Sequence, residues 1–301
     1  MQAGLGVCRS SLLACFAALI SLSALAQTVT VAPTSVSFGK QVQGTTSSIH
    51  TVTLKNGQSS AITITSITTS LSDYAAANNC PISPATLAES ASCTISITFT
   101  PGALGTRDGT LTVVDTGASS PQLVTLSGTG TAPSLVSIAV TPLSPSVAAG
   151  YTEQFTATGT YSNGTTQNLT TTASWTSSNT SVATIKVHTG LATSVAQGTA
   201  TVTATSGAIS GSATLTVTAA VLTSIKVTPS TASVAAGDAE QFTATGTYSN
   251  GTTQNLSSSF SWSSSATSIA TVSSAGLATS LMPGTATITA TSGAISGSAK
   301  L

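Results

Sequence analysis

The chain has 301 residues, of which only 5% are charged and 4% aromatic, with Lys+Arg and Asp+Glu equal at 7 each. A nucleic-acid binder needs a basic stripe and a membrane-surface protein a polybasic patch, and this sequence has material for neither. Its polar residues are mainly Thr and Ser interleaved with Val, Ile, Leu and Ala, the composition of strands rather than of disordered tails.

Residues 1–26 stand apart. Arg9 is their only charge, an apolar run extends from Leu12 to Leu25, and the segment ends Ala24-Leu25-Ala26 before Gln27. This is the pattern of a secretory signal peptide cleaved between Ala26 and Gln27. The run is shorter than the ~20 residues that span a bilayer, which argues against an anchor. Leu12-Leu13-Ala14-Cys15 offers a loose lipobox as an alternative, but most of the apolar run would then follow the cysteine. No later apolar segment is long enough to cross a membrane, so the mature chain is expected to have no transmembrane segment. Cys8 and Cys15 leave with the signal segment, and Cys80 and Cys93 remain. Two cysteines in an oxidising compartment most simply form one disulfide, whereas a metal site needs more ligands than two thiols.

Residues 27–132 read as a first β-domain. Val36-Ser37-Phe38-Gly39 opens it, Ile49, Val52 and Leu54 suggest a strand, and Ala61 to Ile67 alternates. Ser92-Cys93-Thr94-Ile95-Ser96-Ile97-Thr98-Phe99-Thr100-Pro101 and the closing Val124-Thr125-Leu126-Ser127-Gly128-Thr129-Gly130 carry a resemblance. They are similar to the exported ASH-type β-sandwich called choice-of-anchor D, a relative of the abnormal-spindle and major-sperm-protein fold.

The rest is a repeat. The string EQFTATGTYSNGTTQNL begins at Glu153 and again at Glu240 without a difference, and TSGAISGSA recurs from Thr205 and Thr291. The period is about 87 residues, too long for a solenoid unit and right for a small β-domain. The first copy carries one extra residue in Lys186-Val187-His188-Thr189. Within a copy, Phe155, Ala157, Gly159 and Tyr161 share one strand face and Gln154, Thr156, Thr158 and Thr160 the other, followed by the Asn163-Gly164 turn. Short strands punctuated by turns, with no helical period, make a β-sandwich. The paired Trp175 and Trp262, the V-A-T-[IV] step, the G-L-A-T turn and the G-T-A-T-[IV] strand occur in order, twice. These motifs resemble the bacterial Ig-like group 2 domain of intimin- and invasin-type surface proteins. The resemblance implies an Ig-like sandwich with Phe155, Trp175, Phe242 and Trp262 packing the two cores, and it brings no catalytic residue.

The expected architecture is therefore all-β: a signal peptide (1–26), an ASH-like sandwich (27–132) and two bacterial Ig-like sandwiches (133–219 and 220–301), joined by short linkers. The first copy ends Ala213-Thr214-Leu215-Thr216-Val217-Thr218 and the second Ala299-Lys300-Leu301, so the second copy's last strand is expected to be truncated.

Chemistry needs a positioned acid, base, nucleophile or metal. His50 and His188 have no partner in sequence, and no G-x-S-x-G elbow is present. Asp108 and Asp115 are the closest acidic pair suggestive of calcium, but one strand would separate them. Asn163, Asn168, Asn179, Asn250 and Asn255 sit in N-x-[ST], read here as turn chemistry rather than glycan acceptors. Lys40, Lys55, Lys186 and Lys226 are available for isopeptide bonds, but spacing places none of them. The sequence thus predicts no enzyme and no cofactor, cofactor-binding residue or metal. It predicts an exported, non-enzymatic protein of linked modules, monomeric, located outside the cell or on its surface, meeting an unidentified surface protein or glycan. Its role is surface architecture or adhesion, or alternatively that of a spacer or carbohydrate-binding arm of a larger enzyme.

Overall fold

The computed structural model describes residues 28–301; the signal-peptide reading, with Ala26 and Gln27, lies outside the described residues. The structure is all-β, built of β-sandwich domains. It divides into two compact units, one ending at Ala132 and one running from Pro133 to Leu301.

In the first unit a four-stranded sheet has the order Val29–Ala32, His50–Asn56, Ser92–Phe99, Tyr74–Asn78. A second sheet orders Ser35–Val42, Gln122–Thr131, Gly109–Asp115 and Ile64–Thr69, with Gly105–Thr106 added on Gln122–Thr131. Period-two patterning decides which side chains enter the space between them. Cys93, Ile95, Ile97 and Phe99 point inward from one strand, against Leu111 and Val113 and against Val124 and Leu126 from two strands of the other sheet. Phe99, Tyr74 and Phe38 gather their rings at one end, with the Phe99 and Tyr74 centroids 4.9 Å apart.

Cys80 and Cys93 form the disulfide. It ties the segment after Tyr74–Asn78 back to Ser92–Phe99, and both sulfurs belong to the core. Their sequence separation is 13, and closing a loop of that order restricts the unfolded chain by about 3 kcal/mol. Replacing both cysteines by Ala is expected to lower the stability of the first unit by about 2–5 kcal/mol. Urea unfolding of the oxidised wild type and the double variant checks this. Equal midpoints would show that the sandwich needs no staple.

The second unit holds the two sequence copies, each closed by the same sheets. In the first copy Leu135–Thr141, Thr156–Tyr161 and Thr166–Asn168 form one sheet. Ser146–Ala148, Ile209–Thr218, Gly198–Ser206 and Ser174–Ser177 form another, and Thr152–Gln154, Leu191–Ser194 and Ala183–Ile185 a small third. The long hairpin Gly198–Ser206 and Ile209–Thr218 runs in unbroken register from Gly198 opposite Val217 to Ser206 opposite Ile209. The second copy repeats this plan with Ser261–Ser264, Thr287–Ser292 and Ile295–Lys300 in its main sheet, and without a counterpart of Ser146–Ala148.

Phe155 and Phe242 are both 0% exposed, and Trp175 is 2% exposed. Trp262 differs. It is only partly buried, packed against the edge of its core. The two indoles share one anchor: Trp175 Nε1 donates to the Thr170 carbonyl at 2.9 Å and Trp262 Nε1 to the Ser257 carbonyl at 2.7 Å. The turn after Ile185 is the one-residue-longer one, and it lays the Val187 carbonyl on the Trp175 amide at 3.0 Å.

Candidate interaction surfaces

The outward faces carry hydroxyls in rows. On the long hairpin, Thr199 stands opposite Thr216, Thr201 opposite Thr214, Thr203 opposite Ser212 and Thr205 opposite Ser210. Ser174–Ser177 extends the rows, with Thr176 opposite Thr203 and Ser174 opposite Thr205. Neighbouring strands stand about 4.7–4.9 Å apart and same-face residues two rises apart along a strand. The second copy repeats the pattern with Thr289 opposite Ser298 and Thr291 opposite Ser296, except that Lys300 stands opposite Thr287.

Each N-x-[ST] string is a turn. Asn163 Oδ1 accepts from the Thr165 amide and hydroxyl, and Asn250 Oδ1 from those of Thr252. Asn179 and Asn255 do the same with Ser181 and Ser257, and Asn168 Oδ1 accepts from the Thr170 amide. Asn holds these bends because its short side chain mimics a backbone turn.

The turn in Tyr248-Ser249-Asn250-Gly251 has a further task. Its Ser249 amide donates to the Val221 carbonyl at 2.7 Å, and the Val221 amide donates back to Ser249 Oγ at 3.0 Å. The Ser249 hydroxyl donates to the carbonyl of Ala149 in the first copy. Ala149 is 2% exposed, and Ala220 of the linker packs on the first copy's core. The linker between the copies is therefore clamped at both ends. The same turn of the first copy binds its own entering strand: the Ser162 amide donates to the Ser134 carbonyl at 2.8 Å and the Ser134 amide to Ser162 Oγ at 3.1 Å. The Ser before Asn-Gly is the same in both copies, and only the partner across the linker distinguishes the clamp at Ser249 from the turn at Ser162.

The candidates for chemistry stay scattered. Asp108 is exposed and precedes Gly109–Asp115, whereas Asp115 closes that strand and is buried, so the two do not meet. Asp115 Oδ1 accepts from the Gly117 amide at 2.7 Å. Among the described residues no group of three or more His, Cys, Asp or Glu converges as a metal site would need. The His50 ring stacks at an angle on Phe38, centroids 4.7 Å apart, and His188 is exposed. Lys40, Lys55, Lys186 and Lys226 are all exposed. Among the described residues no helix is long and apolar enough to cross a membrane.

One ion pair stands out in the first unit. Arg107 Nε donates to Asp73 Oδ2 at 2.6 Å, and the Tyr74 hydroxyl donates to the Arg107 carbonyl. The hydrogen bond from Arg107 holds the Asp73 carboxyl below the ordinary carboxylate range, against its own desolvation, and the charge of Arg107 and the Gly102 backbone add to the effect. Burial, followed by the charges of Asp108 and Asp73, pushes the Tyr74 phenol up to about 12. A carboxyl lowered in the folded state stabilises above its unfolded value and loses that contribution as pH falls through the folded one. Acid unfolding of the first unit is therefore expected to soften below the usual carboxylate range, and Asp73→Asn to flatten that acid limb. Thermal melts between neutral and strongly acid pH check it; an unchanged acid limb in Asp73→Asn would remove the pair from the account.

Comparison with known proteins agrees with the repeat. Over 155 residues the chain is 46% identical to "Ice-binding protein 1" of Shewanella frigidimarina (strain NCIMB 400), a match covering 52% of this chain and 17% of that protein. The chain thus spans under a fifth of the length of the curated relative it matches. Among solved structures, domains 4–9 of the surface layer protein SbsC align with a TM-score of 0.30 and 18% identity over 76% of this chain and 38% of that one. The ASH/PapD-like domain 7 of human CEP192 aligns with a TM-score of 0.28 and 16% identity over 35% of this chain and 87% of that one. Neither bears on function. The model of the bacterial Ig-like domain (group 2) matches residues 135–217 and again 221–301, more than half of the chain, and the protein belongs to that family.

Proposed function

We propose that the protein is an exported, non-enzymatic arm of Ig-like modules serving cell-surface architecture or adhesion. The observation that carries this reading is the clamped junction. Ser249 reaches Ala149 across the linker, so the two repeats are seated on each other rather than tethered. Such a junction holds an outward face in a set direction, which a loose linker would not. Neutral, hydroxyl-covered faces give weak contacts that repetition multiplies, since a second linked contact binds at high effective concentration. Residues 27–132 are the choice-of-anchor D-like module of this arm, and 133–219 and 220–301 its two repeats.

A second reading has an observation of its own. The identity to the ice-binding protein covers 17% of that protein, the pattern of an accessory module within a larger one. In this reading the repeats are the spacer or carbohydrate-binding arm of a larger secreted or surface enzyme. Ice recognition within the repeats would require the hydroxyl rows to match a flat lattice, and sheet twist works against that.

The test is retention and display. The chain with its leader is expressed in a bacterial host and probed with antibody on intact cells, and the purified mature chain is applied to cells and to a glycan array. Surface accessibility with cell binding that drops when one repeat is deleted supports adhesion. Binding to polysaccharide alone supports the arm. Confinement to the cytoplasm would end both readings.

A further inference from the structure

At one edge of the first Ig-like repeat the core opens into a small concave site. The inward set of Thr156–Tyr161 runs from Ala157, which is 0% exposed, through buried Gly159 to Tyr161, where cover is only partial. The turn at Asn163-Gly164 then folds the chain back as Thr166–Asn168, with Gly159 opposite Gln167. Cross-strand partners share a face, so Gln167 stands on the Tyr161 side of the sheet. Tyr161 Oη donates to Gln167 Oε1 at 3.0 Å. That bond orients the amide with Nε2 left as a donor, and it leaves the phenol oxygen as an acceptor. Thr165 gives its hydroxyl proton to Asn163 Oδ1 at 2.7 Å, so its oxygen too is left to accept.

With Pro133 these groups bound a hollow of about 310 Å³, lined by Pro133, Tyr161, Thr165, Thr166 and Gln167. Ligand pockets begin at about 300 Å³, so this one has room for a single ring and not for a long segment. Its lining holds no charged residue. An ion entering it would give up water and gain no opposite charge. A purely apolar ring would leave the amide and hydroxyl groups without partners. A ring with C–H groups on its faces and hydroxyls around its rim suits both the proline and aromatic walls and the mixed donors and acceptors.

The second copy repeats four of the five lining residues, as Tyr248, Thr252, Thr253 and Gln254. The fifth differs. Ala220 stands in the place of Pro133, and it packs on the core of the first copy. The proline wall is therefore particular to the first repeat, and the second supplies a control with the same turn.

We propose that the hollow at Tyr161 is a subsite for one neutral sugar ring of a polysaccharide. Gln167 Nε2 donates to a ring hydroxyl, and Tyr161 Oη and Thr165 Oγ1 accept from others. The C–H face of the sugar lies against Pro133 and the Tyr161 ring. Tyr161 also sets the amide of Gln167 through the bond between them. This inference rests on the reading of the repeats as a carbohydrate-binding arm, and it adds the place of binding and the class of sugar.

The test is affinity electrophoresis of the purified mature chain in native gels cast with dextran, laminarin or galactomannan, each a soluble neutral polysaccharide, and with polygalacturonate as the charged comparison. Retardation is expected in at least one neutral gel and not in polygalacturonate. Gln167→Ala is expected to weaken that binding by about tenfold, the scale of one lost hydrogen bond. Tyr161→Phe keeps the ring but releases the amide, and its loss is expected to be smaller. Gln254→Ala, the matching change in the second copy, is expected to leave binding unchanged. Retardation that Gln167→Ala does not alter would overturn the subsite and leave the arm reading standing, because the sugar would be held elsewhere. Equal loss in Gln167→Ala and Gln254→Ala would overturn it too, since the proline wall would then count for nothing. No retardation in any neutral gel would overturn both the subsite and the arm reading. A shift of the Gln167 side-chain amide NMR signal with a decaproline peptide, and none with the polysaccharides, would make the hollow a peptide site and end the proposal.

Discussion

Trp175→Ala is expected to destabilise the first Ig-like repeat by about 3–5 kcal/mol, the range for deleting a large buried aromatic. Trp175 is 2% exposed and faces Phe155 with ring centroids 6.4 Å apart. Truncation removes that packing and leaves a cavity that sheets pinned by long hydrogen-bonded ladders collapse into poorly. It also strips the partner from the Thr170 carbonyl that Nε1 now satisfies. Trp262→Ala supplies the internal control, because the second indole makes the same hydrogen bond but is only partly buried. Its cost is expected to be smaller, since the transfer term scales with area removed from water. The chain has 2 tryptophans, so each variant keeps one as a fluorescent reporter in the other repeat. Denaturant unfolding with hydrogen exchange resolved by repeat measures both costs. Equal costs for the two variants would mean that burial of the ring is not what stabilises the cores.

The fold was legible where patterning is strict. The alternation through Phe155, Ala157, Gly159 and Tyr161 settles which face is inside before any coordinate is known, because a slip of one residue would expose the whole set. Asn-Gly in both copies places the hairpin turns. Cys80 and Cys93 could be paired from compartment and number alone. Other features were not legible because they depend on contacts far apart in the chain. Asp73 and Arg107 meet only when the turn before Tyr74–Asn78 folds against the segment before Gly109–Asp115. The unequal burial of Trp175 and Trp262 was not legible because the two indoles occupy matching strand positions and differ only in the packing around them. The clamp of Ser249 on Ala149 was hidden for a different reason. Its local signal, a Ser before Asn-Gly, is identical in the two copies, and only the partner across the linker distinguishes one role from the other.

That clamp gives the second large effect. Gly150→Ala is expected to undock the two Ig-like repeats, whereas Gly237→Ala is not. The two glycines have nearly the same backbone, φ +95° and +96°. An L-residue held at positive φ costs about 1–2 kcal/mol, so both variants carry a similar strain. What differs is the neighbour. At Gly150 the new methyl would lie 2.0 Å from the Ser249 carbonyl oxygen and 2.5 Å from the Asn250 nitrogen, backbone atoms that have no rotamer to yield with. At Gly237 it meets open space. The clash can be relieved only by moving the Ser249 turn away, which also breaks the hydrogen bond from its hydroxyl to Ala149. Spin labels on an exposed strand of each repeat, read by pulsed dipolar spectroscopy, measure the result: a narrow distance distribution in the wild type and in Gly237→Ala, a broad one in Gly150→Ala. The amide of Val221, which Ser249 Oγ now accepts, should keep its protection in Gly150→Ala, because that bond stays within the second repeat. Broadening in both variants would assign the effect to backbone strain, and broadening in neither would mean that the linker, not the seat, sets the angle between the repeats.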